Sequence, residues 1–177
     1  MNKVYIDGII VVEGKSDVSY LSSFIDSNFF ITNGYDLNDE KIDFLRRVSK
    51  VNRIIVLTDN DEAGYQIENK LKNSISGVFA LKSEKITRKN AKKSGVAETA
   101  KGEILRVLTP FISSSDSTDL KREYNLASII SLSAKPKEIR NKIIKDYRLI
   151  DGNNKFLEQQ LQMLKINEQE IKQKYGN

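Results

Sequence analysis

The chain has 177 residues, no cysteine, no histidine and a formal net charge of +5 at pH 7. The missing cysteine excludes disulfides and cysteine-based zinc modules, and the missing histidine removes the usual general base. Any bound metal should therefore have oxygen ligands, which favours Mg²⁺, Mn²⁺ or Ca²⁺. No segment reaches the ~18 apolar residues of a membrane span, and no signal-peptide pattern begins the chain. We expect a soluble, cytoplasmic protein.

The charge is distributed unevenly along the chain. Residues 1–81 contain 9 basic and 12 acidic side chains, whereas residues 82–93 contain 6 basic and 1 acidic. Residues 94–177 contain 14 basic and 11 acidic side chains. An acidic half beside basic segments is typical of a metal-dependent enzyme that acts on a polyanion. The alternative is a lysine-rich surface that only keeps a small protein soluble.

The first predicted strand is the β-branched run at residues 9–12, which suits a strand buried on both faces of a parallel sheet. Gly14 ends this strand. A helical pattern then begins, and its apolar face carries Val18, Leu21, Phe24 and Ile25. Glu13 therefore lies at the carboxyl end of a core strand, where open α/β sheets place their ligand sites.

The same alternation of strands and helices continues to residue 108. Further strands are predicted at residues 29–32, 54–58 and 77–81, with helices that open at Asn38, Ala63 and Ala97. This spacing predicts a Rossmann-like α/β fold, with a mainly parallel four-stranded sheet flanked by helices. Residues 82–96 lack an apolar period, and we interpret them as a basic surface loop.

A Ser-rich run suggests a linker at residues 113–118, between one domain at 1–112 and another at 119–177. The second domain is predicted to be small and all-α. Its helices follow apolar faces near residues 126–130, 136–147 and 156–164, and Asn167 is predicted to cap the last one.

Carboxylates also follow the third strand, at Asp59 and Asp61. If the first and third strands are adjacent, their ends bring Glu13, Asp59 and Asp61 together as a divalent-metal site. Each motif alone has an ordinary structural explanation: Glu-Gly-Lys as a turn and Asp-x-Asp as a solvated helix start. Both motifs, in this order after two buried strands, favour the metal site.

Glu13-Gly14-Lys15-x-Asp17 with Asp59-x-Asp61 resembles the Toprim domain, which topoisomerases, bacterial primases, recombination proteins and small nucleases share. In that domain the strand-end Glu and the Asp pair serve a Mg²⁺-dependent phosphodiester site. The resemblance implies that Glu13, Asp59 and Asp61 are catalytic and bind Mg²⁺, with Mn²⁺ as an alternative ion.

Within this fold the chain is most similar to the ribonuclease M5 family, which matures 5S ribosomal RNA. The similar stretches are residues 11–17, 32–34, 57–61, the Lys-rich segment, 95–96 and 152–167. Two departures stand out. The family usually has Pro where this chain has Asn60 and Ala63. Its Gly-Val-Glu-His stretch matches Glu98 only through a one-residue insertion, and with that offset Glu98 is a further expected metal ligand.

The resemblance implies a Mg²⁺-dependent endoribonuclease that cleaves precursor 5S rRNA at its double-stranded stem. It also implies that the protein is a monomer, and that a 5S-binding ribosomal protein is a candidate to present the RNA to it. The side chains expected to contact RNA are Lys15, Arg88, Lys89, Lys92, Lys93, Lys137 and Arg140. Lys15 alternatively pairs with Asp17. Asp17 itself is a candidate ligand, a support for the ligands or a helix-terminal charge, and we favour the support role.

Two other classes of function stay open. A primase-like or recombination-associated Toprim protein would act on DNA, and residues 59–64 do look like primase sequences. Those proteins, however, carry cysteine-based zinc modules before this domain. A non-catalytic RNA-binding module is the other class, and the intact acidic trio argues against it because clustered carboxylates hinder RNA binding without a metal.

Overall fold

The protein is described by a computed structural model at residues 3–34, 37–82, 95–113, 125–131 and 135–176. The chain divides into two compact units, Met1–Asp116 and Ser117–Asn177. The linker predicted at residues 113–118 lies almost wholly outside the described residues, and the predicted domain boundaries stay a prediction.

The first unit is built on four parallel strands in the order β2-β1-β3-β4. The strands are β1 (Val4–Val12), β2 (Ile25–Ile31), β3 (Ile54–Leu57) and β4 (Val78–Leu81). This arrangement confirms the predicted parallel four-stranded sheet. It also makes β1 and β3 direct neighbours, with Val11 opposite Val56.

Helices connect and cover the strands of the first unit. They are α1 (Lys15–Leu21), α2 (Asp39–Val48), α3 (Glu62–Ser74) and α4 (Lys101–Leu108). Short 3-10 turns occupy Val96–Glu98 and Thr109–Phe111. Asn38 caps α2 as predicted, because its side chain accepts a hydrogen bond from the main-chain amide of Lys41 at 3.0 Å.

The central strands are buried on both faces, as the β-branched runs indicated. One face, with Ile10, Val12, Ile55 and Leu57, belongs to a core cluster that also contains Leu21, Ile104 and Leu108. The opposite face, with Ile9, Val11, Ile54 and Val56, is buried as well. Burial on both faces is what a parallel sheet between two layers of helices requires.

The predicted helix through Phe24 and Ile25 is wrong. Helix α1 ends at Leu21, and β2 already begins at Ile25. The carbonyl of Phe24 accepts a 2.9 Å hydrogen bond from the amide of Val4, so pairing with β1 determines the conformation here. The two side chains are 6% and 1% exposed, so the strand buries the same apolar pair that suggested a helix.

A second difference lies before α4, which was predicted to begin at Ala97. Residues 96–98 instead form a separate 3-10 turn, and α4 begins at Lys101. The hydroxyl of Thr99 donates to the carbonyl of Gly95 at 2.8 Å, and Tyr20 donates to the carbonyl of Thr99 at 2.6 Å. These bonds hold the turn apart from the helix.

The described part of the second unit consists of helices, as predicted. They are α5 (Leu126–Ser131), α6 (Pro136–Asp146), α7 (Asn154–Met163) and α8 (Glu168–Tyr175). Asn167 caps α8 as expected. The buried side chain of Gln160 bonds both the amide and the carbonyl of Ile150, each at 2.7 Å. No helix within the described ranges has the length and apolar character needed to cross a membrane.

Candidate active site

Two adjacent strands end at the same edge of the sheet, and an acidic turn follows each of them. Because Val11 lies opposite Val56, Glu13 and Asp59 leave the sheet side by side. Oε1 of Glu13 accepts a 2.9 Å hydrogen bond from the main-chain amide of Asp59. The structure thus brings two of the predicted site residues into direct contact.

Asp61 lies at the start of α3, where it caps the helix. Its Oδ1 accepts a 2.8 Å hydrogen bond from the amide of Gly64. A helix amino terminus favours negative charge, because its first amides have no partner within the helix. The capping role anticipated as the ordinary explanation is therefore real. It coexists with proximity to the other acids: burial is the main cause that raises the pKa of Glu13 and of Asp59, and the Asp61 charge raises both further.

Asp17 supports the turn that follows β1. Its Oδ2 accepts a 2.9 Å hydrogen bond from the amide of Gly14, the residue that precedes α1. The side chain is buried. This geometry agrees with the favoured support role, because Asp17 fixes the backbone directly after Glu13.

The turn at residues 95–99 brings a further carboxylate to the site. The amide of Val96 donates to Oδ1 of Asp59 at 2.6 Å. A Cβ on Gly95 would lie 2.7 Å from Oδ2 of Asp59 and 2.9 Å from Oε2 of Glu98. Glu98 therefore faces the cluster despite the one-residue offset in the sequence. From the sequence, no role at the site was predicted for Val96 or Tyr20. Only the family resemblance at Gly95-Val96 pointed to this turn.

Five carboxylates thus form one electrostatic cluster: Glu13, Asp17, Asp59, Asp61 and Glu98. Burial raises the pKa of Glu13, Asp17 and Asp59, and main-chain hydrogen bonds partly oppose this effect. Neighbouring carboxylates raise these pKa values further; Asp59 and Glu98, for example, both act on Asp17. Like charges at a partly desolvated site thus disfavour the ionised forms of Glu13, Asp17 and Asp59.

The chemistry of this donor set fits a hard divalent cation, because every candidate ligand is a carboxylate oxygen. Gly95 and Gly64 allow the backbone to approach the acids closely. A Cβ on Gly64 would collide with the carbonyl oxygen of Asp59 and lie 3.1 Å from Oε1 of Glu13. Within the described residues no three acidic side chains already form a complete ligand set, so a cation would be held only after side-chain adjustment.

The residues expected to contact RNA are distributed over both units. Lys15 is exposed at the first position of α1, directly after the Glu13 turn. Lys137 is exposed on α6, and Nη2 of Arg140 donates to Oδ1 of Asp151 at 2.6 Å and to the Gly152 carbonyl. The other four, Arg88, Lys89, Lys92 and Lys93, lie outside the described residues.

Comparison with known proteins identifies the family. The family model described as the Toprim domain matches residues 8–109. Ribonuclease M5 of Borreliella burgdorferi is 32% identical over 166 residues, which cover 93% of this chain and 90% of that protein. The chain belongs to the ribonuclease M5 family of Toprim proteins.

Other ribonuclease M5 proteins match over similar lengths. The protein of Mycoplasma genitalium is 28% identical, covering 96% of this chain and 94% of its own. That of Staphylococcus aureus is 26% identical, covering 95% and 96%. The similarity to ribonuclease M5 thus includes both compact units. A solved structure described as a small TOPRIM domain protein from Bacillus stearothermophilus covers 62% of this chain and 90% of its own, with a TM-score of 0.49 and 22% identity.

Proposed function

We propose that this protein is a Mg²⁺-dependent endoribonuclease that cleaves precursor 5S rRNA at its double-stranded stem. One observation carries the proposal: Glu13 and Asp59 meet at the carboxyl edge of the sheet in a chain that belongs to the ribonuclease M5 family. The family name supports a ribonuclease, and the carboxylate cluster supports a site that needs a cation.

Glu13, Asp59, Asp61 and Glu98 would hold the ion, with Mn²⁺ as the alternative to Mg²⁺. When bound, a divalent cation neutralises the cluster and stabilises charge on the phosphoryl oxygens of the scissile linkage. Asp17 positions the Glu13 turn through the Gly14 amide. The exposed ammonium of Lys15, at the same edge, is free to approach a phosphate that enters the site.

Recognition of the RNA would rest on shape, phosphates and 2′-hydroxyls, because A-form RNA hides its base edges in a deep, narrow groove. Arg88, Lys89, Lys92 and Lys93 supply positive charge from the segment between β4 and α4. In the second unit, Lys137 is available directly, whereas Arg140 would exchange its exposed partner Asp151 for a phosphate. We assign catalysis to residues 1–112 and recognition to residues 119–177, joined by a linker at 113–118.

The proposed setting is the cytoplasm, where the protein acts as a monomer on RNA presented by a 5S-binding ribosomal protein. The decisive experiment incubates the full-length chain with precursor 5S RNA and with a DNA duplex, each with Mg²⁺ or with EDTA. We expect cleavage of the RNA in Mg²⁺ alone. Cleavage of the DNA instead would favour a primase-like or recombination-associated function. Tight RNA binding without cleavage would indicate a non-catalytic binding module.

A further inference from the structure

Tyr65 and Lys82 form an aromatic–cation pair outside the acidic cluster. Nζ of Lys82 lies 4.2 Å from the centroid of the Tyr65 ring. Tyr65 is 50% exposed, so part of its ring is accessible to a ligand, whereas the Nζ of Lys82 is shielded from solvent. A half-exposed ring is unusual for a residue with a purely packing role, because burial of its apolar surface is what a packed aromatic contributes.

The lysine of this pair is held in place. Its Nζ lies 2.7 Å from Oε2 of Glu68, a buried residue on α3. Oε2 of Glu68, like the Nζ of Lys82, is shielded from solvent. Oε1 of Glu68 also contacts Nζ of Lys72, at 2.6 Å. Because Glu68 restrains Lys82 beside the ring, a ligand would meet a pre-formed surface and little side-chain freedom would be lost on binding.

The pair is placed next to the acidic edge of the sheet. The amide of Tyr65 donates to the carbonyl of Asp61 at 3.0 Å, so the backbone of Tyr65 lies one helical turn, about 5.4 Å along the helix axis, beyond that acid. Lys82 directly follows Leu81, which lies opposite Leu57 of β3, two residues before Asp59. Neighbouring strands are about 4.8 Å apart. Both members therefore start from backbone that directly adjoins the cluster.

We propose that Tyr65 and Lys82 form a stacking site for an unpaired nucleotide that adjoins the end of the stem bound at the carboxylate cluster. This inference rests on the proposed RNA substrate. An exposed ring offers a stacking face to any base, and the Lys82 ammonium beside the ring holds that ring in place. A base inside a duplex is already stacked and paired, so the site would select an unpaired nucleotide at the end of a stem.

The competing explanation is that the pair only fastens the end of β4 to α3. The chain offers matched controls for this possibility. Lys72→Ala removes the other cation from Glu68 and leaves the Tyr65 ring untouched, whereas Lys82→Ala removes both contacts. Phe79→Leu removes a second aromatic side chain, 44% exposed, that takes no part in the pair. Tyr65→Phe keeps the ring and removes only its hydroxyl.

The test uses the full-length protein in EDTA, so that binding is measured without cleavage. The probes are an RNA duplex with a short single-stranded overhang, which carries 2-aminopurine beside the stem, and the matching blunt duplex. We expect wild type and Tyr65→Phe to quench the fluorophore. Tyr65→Leu and Tyr65→Gln should lose the quenching and roughly tenfold in affinity for the overhang probe, with blunt-duplex affinity unchanged. Lys82→Ala should weaken overhang binding, and Lys72→Ala and Phe79→Leu should not.

Several results would overturn the stacking site. The first is fluorescence quenching that survives both Tyr65→Leu and Tyr65→Gln. The second is an equal loss of affinity for the overhang probe in Lys82→Ala and Lys72→Ala. The third is a wild-type protein that binds the overhang probe no more tightly than the blunt duplex. Failure of the proposed function is distinguishable. If the full-length chain cleaves no RNA in Mg²⁺ yet shows Tyr65-dependent quenching, the nuclease proposal is wrong and the stacking site stands. If it cleaves RNA and quenching ignores Tyr65, only the stacking site is wrong.

Discussion

The main-chain amide of Asp59 donates a 2.9 Å hydrogen bond to Oε1 of Glu13, a residue 46 positions earlier in the chain. This bond joins the backbone of one acidic turn to the side chain of the other. Asp59 in turn accepts from the amide of Val96 at 2.6 Å. Main-chain amides therefore hold both carboxylates at the site, and side-chain adjustment would complete a cation site there.

Because these bonds use carboxylate oxygens as acceptors, amide substitutions remove charge and preserve an accepting oxygen. We expect Glu13→Gln and Asp59→Asn to fold normally and to reduce cleavage of precursor 5S RNA below about a tenth of the wild-type rate. RNA binding should be kept or slightly tightened, because removal of a negative charge reduces the repulsion between the site and the polyanion. Single-turnover cleavage and filter binding measure the two effects.

Asp7→Asn is the matched control for these variants. Asp7 is an exposed carboxylate whose partner is Arg53, at 2.8 Å, and exposed pairs contribute little to stability. The Asp7→Asn protein should cleave precursor 5S RNA at the wild-type rate. A Glu13→Gln or Asp59→Asn protein that retains more than the stated activity would remove that residue from the catalytic site.

The cluster should make the stability of the metal-free protein depend on pH. The pKa of Asp17 is raised by burial and by the charges of Asp59 and Glu98, so the folded state retains protons that the unfolded chain releases. Stability should fall as pH rises from about 4, the ordinary pKa of Asp, through the raised value. Asp17→Asn should therefore melt higher than wild type near pH 7, with a difference that shrinks toward low pH. Each kcal/mol corresponds to roughly 2–4 °C.

Asp146→Asn provides a control of opposite sign. Hydrogen bonds from Tyr175 and Lys174 lower the pKa of Asp146, so its ionised form stabilises the folded protein above the ordinary pKa. This variant should melt lower than wild type near pH 7, with a difference that disappears at low pH. Differential scanning calorimetry in EDTA across about pH 2 to 8 compares the two variants, because the Asp146 contribution is lost only as pH falls below about 4 through the lowered pKa. A pH-independent effect of Asp17→Asn would contradict the electrostatic account.

Tyr20 should position the turn that carries Glu98. Its hydroxyl donates to the carbonyl of Thr99 at 2.6 Å, and its ring packs edge-on against Phe24. Tyr20→Phe keeps the ring contact and removes a bond that contributes about 1 kcal/mol to stability. We expect a small loss in melting temperature and a clear loss of Mg²⁺ affinity, measured by isothermal titration calorimetry.

The matched variant is Tyr147→Phe in the second unit, which removes a 2.6 Å hydrogen bond to Glu170. It should lower the melting temperature by a similar amount and leave Mg²⁺ affinity unchanged. If the two variants bind Mg²⁺ equally well, Tyr20 serves packing alone and Glu98 needs no such support.

The segment between β4 and α4 should contribute affinity and little chemistry. Replacing Lys89, Lys92 and Lys93 together with Ala should weaken RNA binding and lower the salt slope by roughly 0.7–0.9 per lost phosphate contact. The single-turnover rate at saturating RNA should change much less. Lys50→Ala is the control, because this exposed lysine follows the carboxyl end of α2, away from the acidic turns. An unchanged slope in the triple variant would mean that these lysines only solvate the surface.

The second unit should decide which RNA is cut. A fragment that ends at Phe111 would lose the Ile6–Ile112 bridge and the bond from the amide of Ser113 to the carbonyl of Tyr5, so the better fragment ends at residue 116. It should fold, bind Mg²⁺ and cleave duplex RNA weakly. Its preference for precursor 5S should fall, because it lacks the basic side chains of Lys137, Arg140, Lys145 and Arg148.

Thermal melting separates recognition from packing in this fragment. If residues 117–177 merely cover apolar surface, truncation should cause a large loss of stability. A fragment that melts near the full-length chain and still selects precursor 5S over unrelated duplexes would contradict the recognition role.

The sequence by itself determined the parallel sheet and the position of the acidic turns. Runs such as residues 9–12 leave no polar face, so only a strand between two layers accommodates them, and Glu13 must follow its end. The caps at Asn38 and Asn167 were predictable for a similar reason, since a cap depends on a side chain and amides two or three residues away.

Only the tertiary structure decided the features that depend on distant partners. Phe24 and Ile25 fit a helix face as well as a strand, and pairing with β1 selected the strand. In the sequence, Glu98 matches the glutamate of the family's Gly-Val-Glu-His stretch only after a one-residue insertion. Its place at the cluster follows from bonds that Asp59 and Tyr20 make to the turn around it, 37 and 79 positions away in sequence. Local patterns report burial and turn chemistry, but such long-range hydrogen bonds form only once the sheet has brought their partners together.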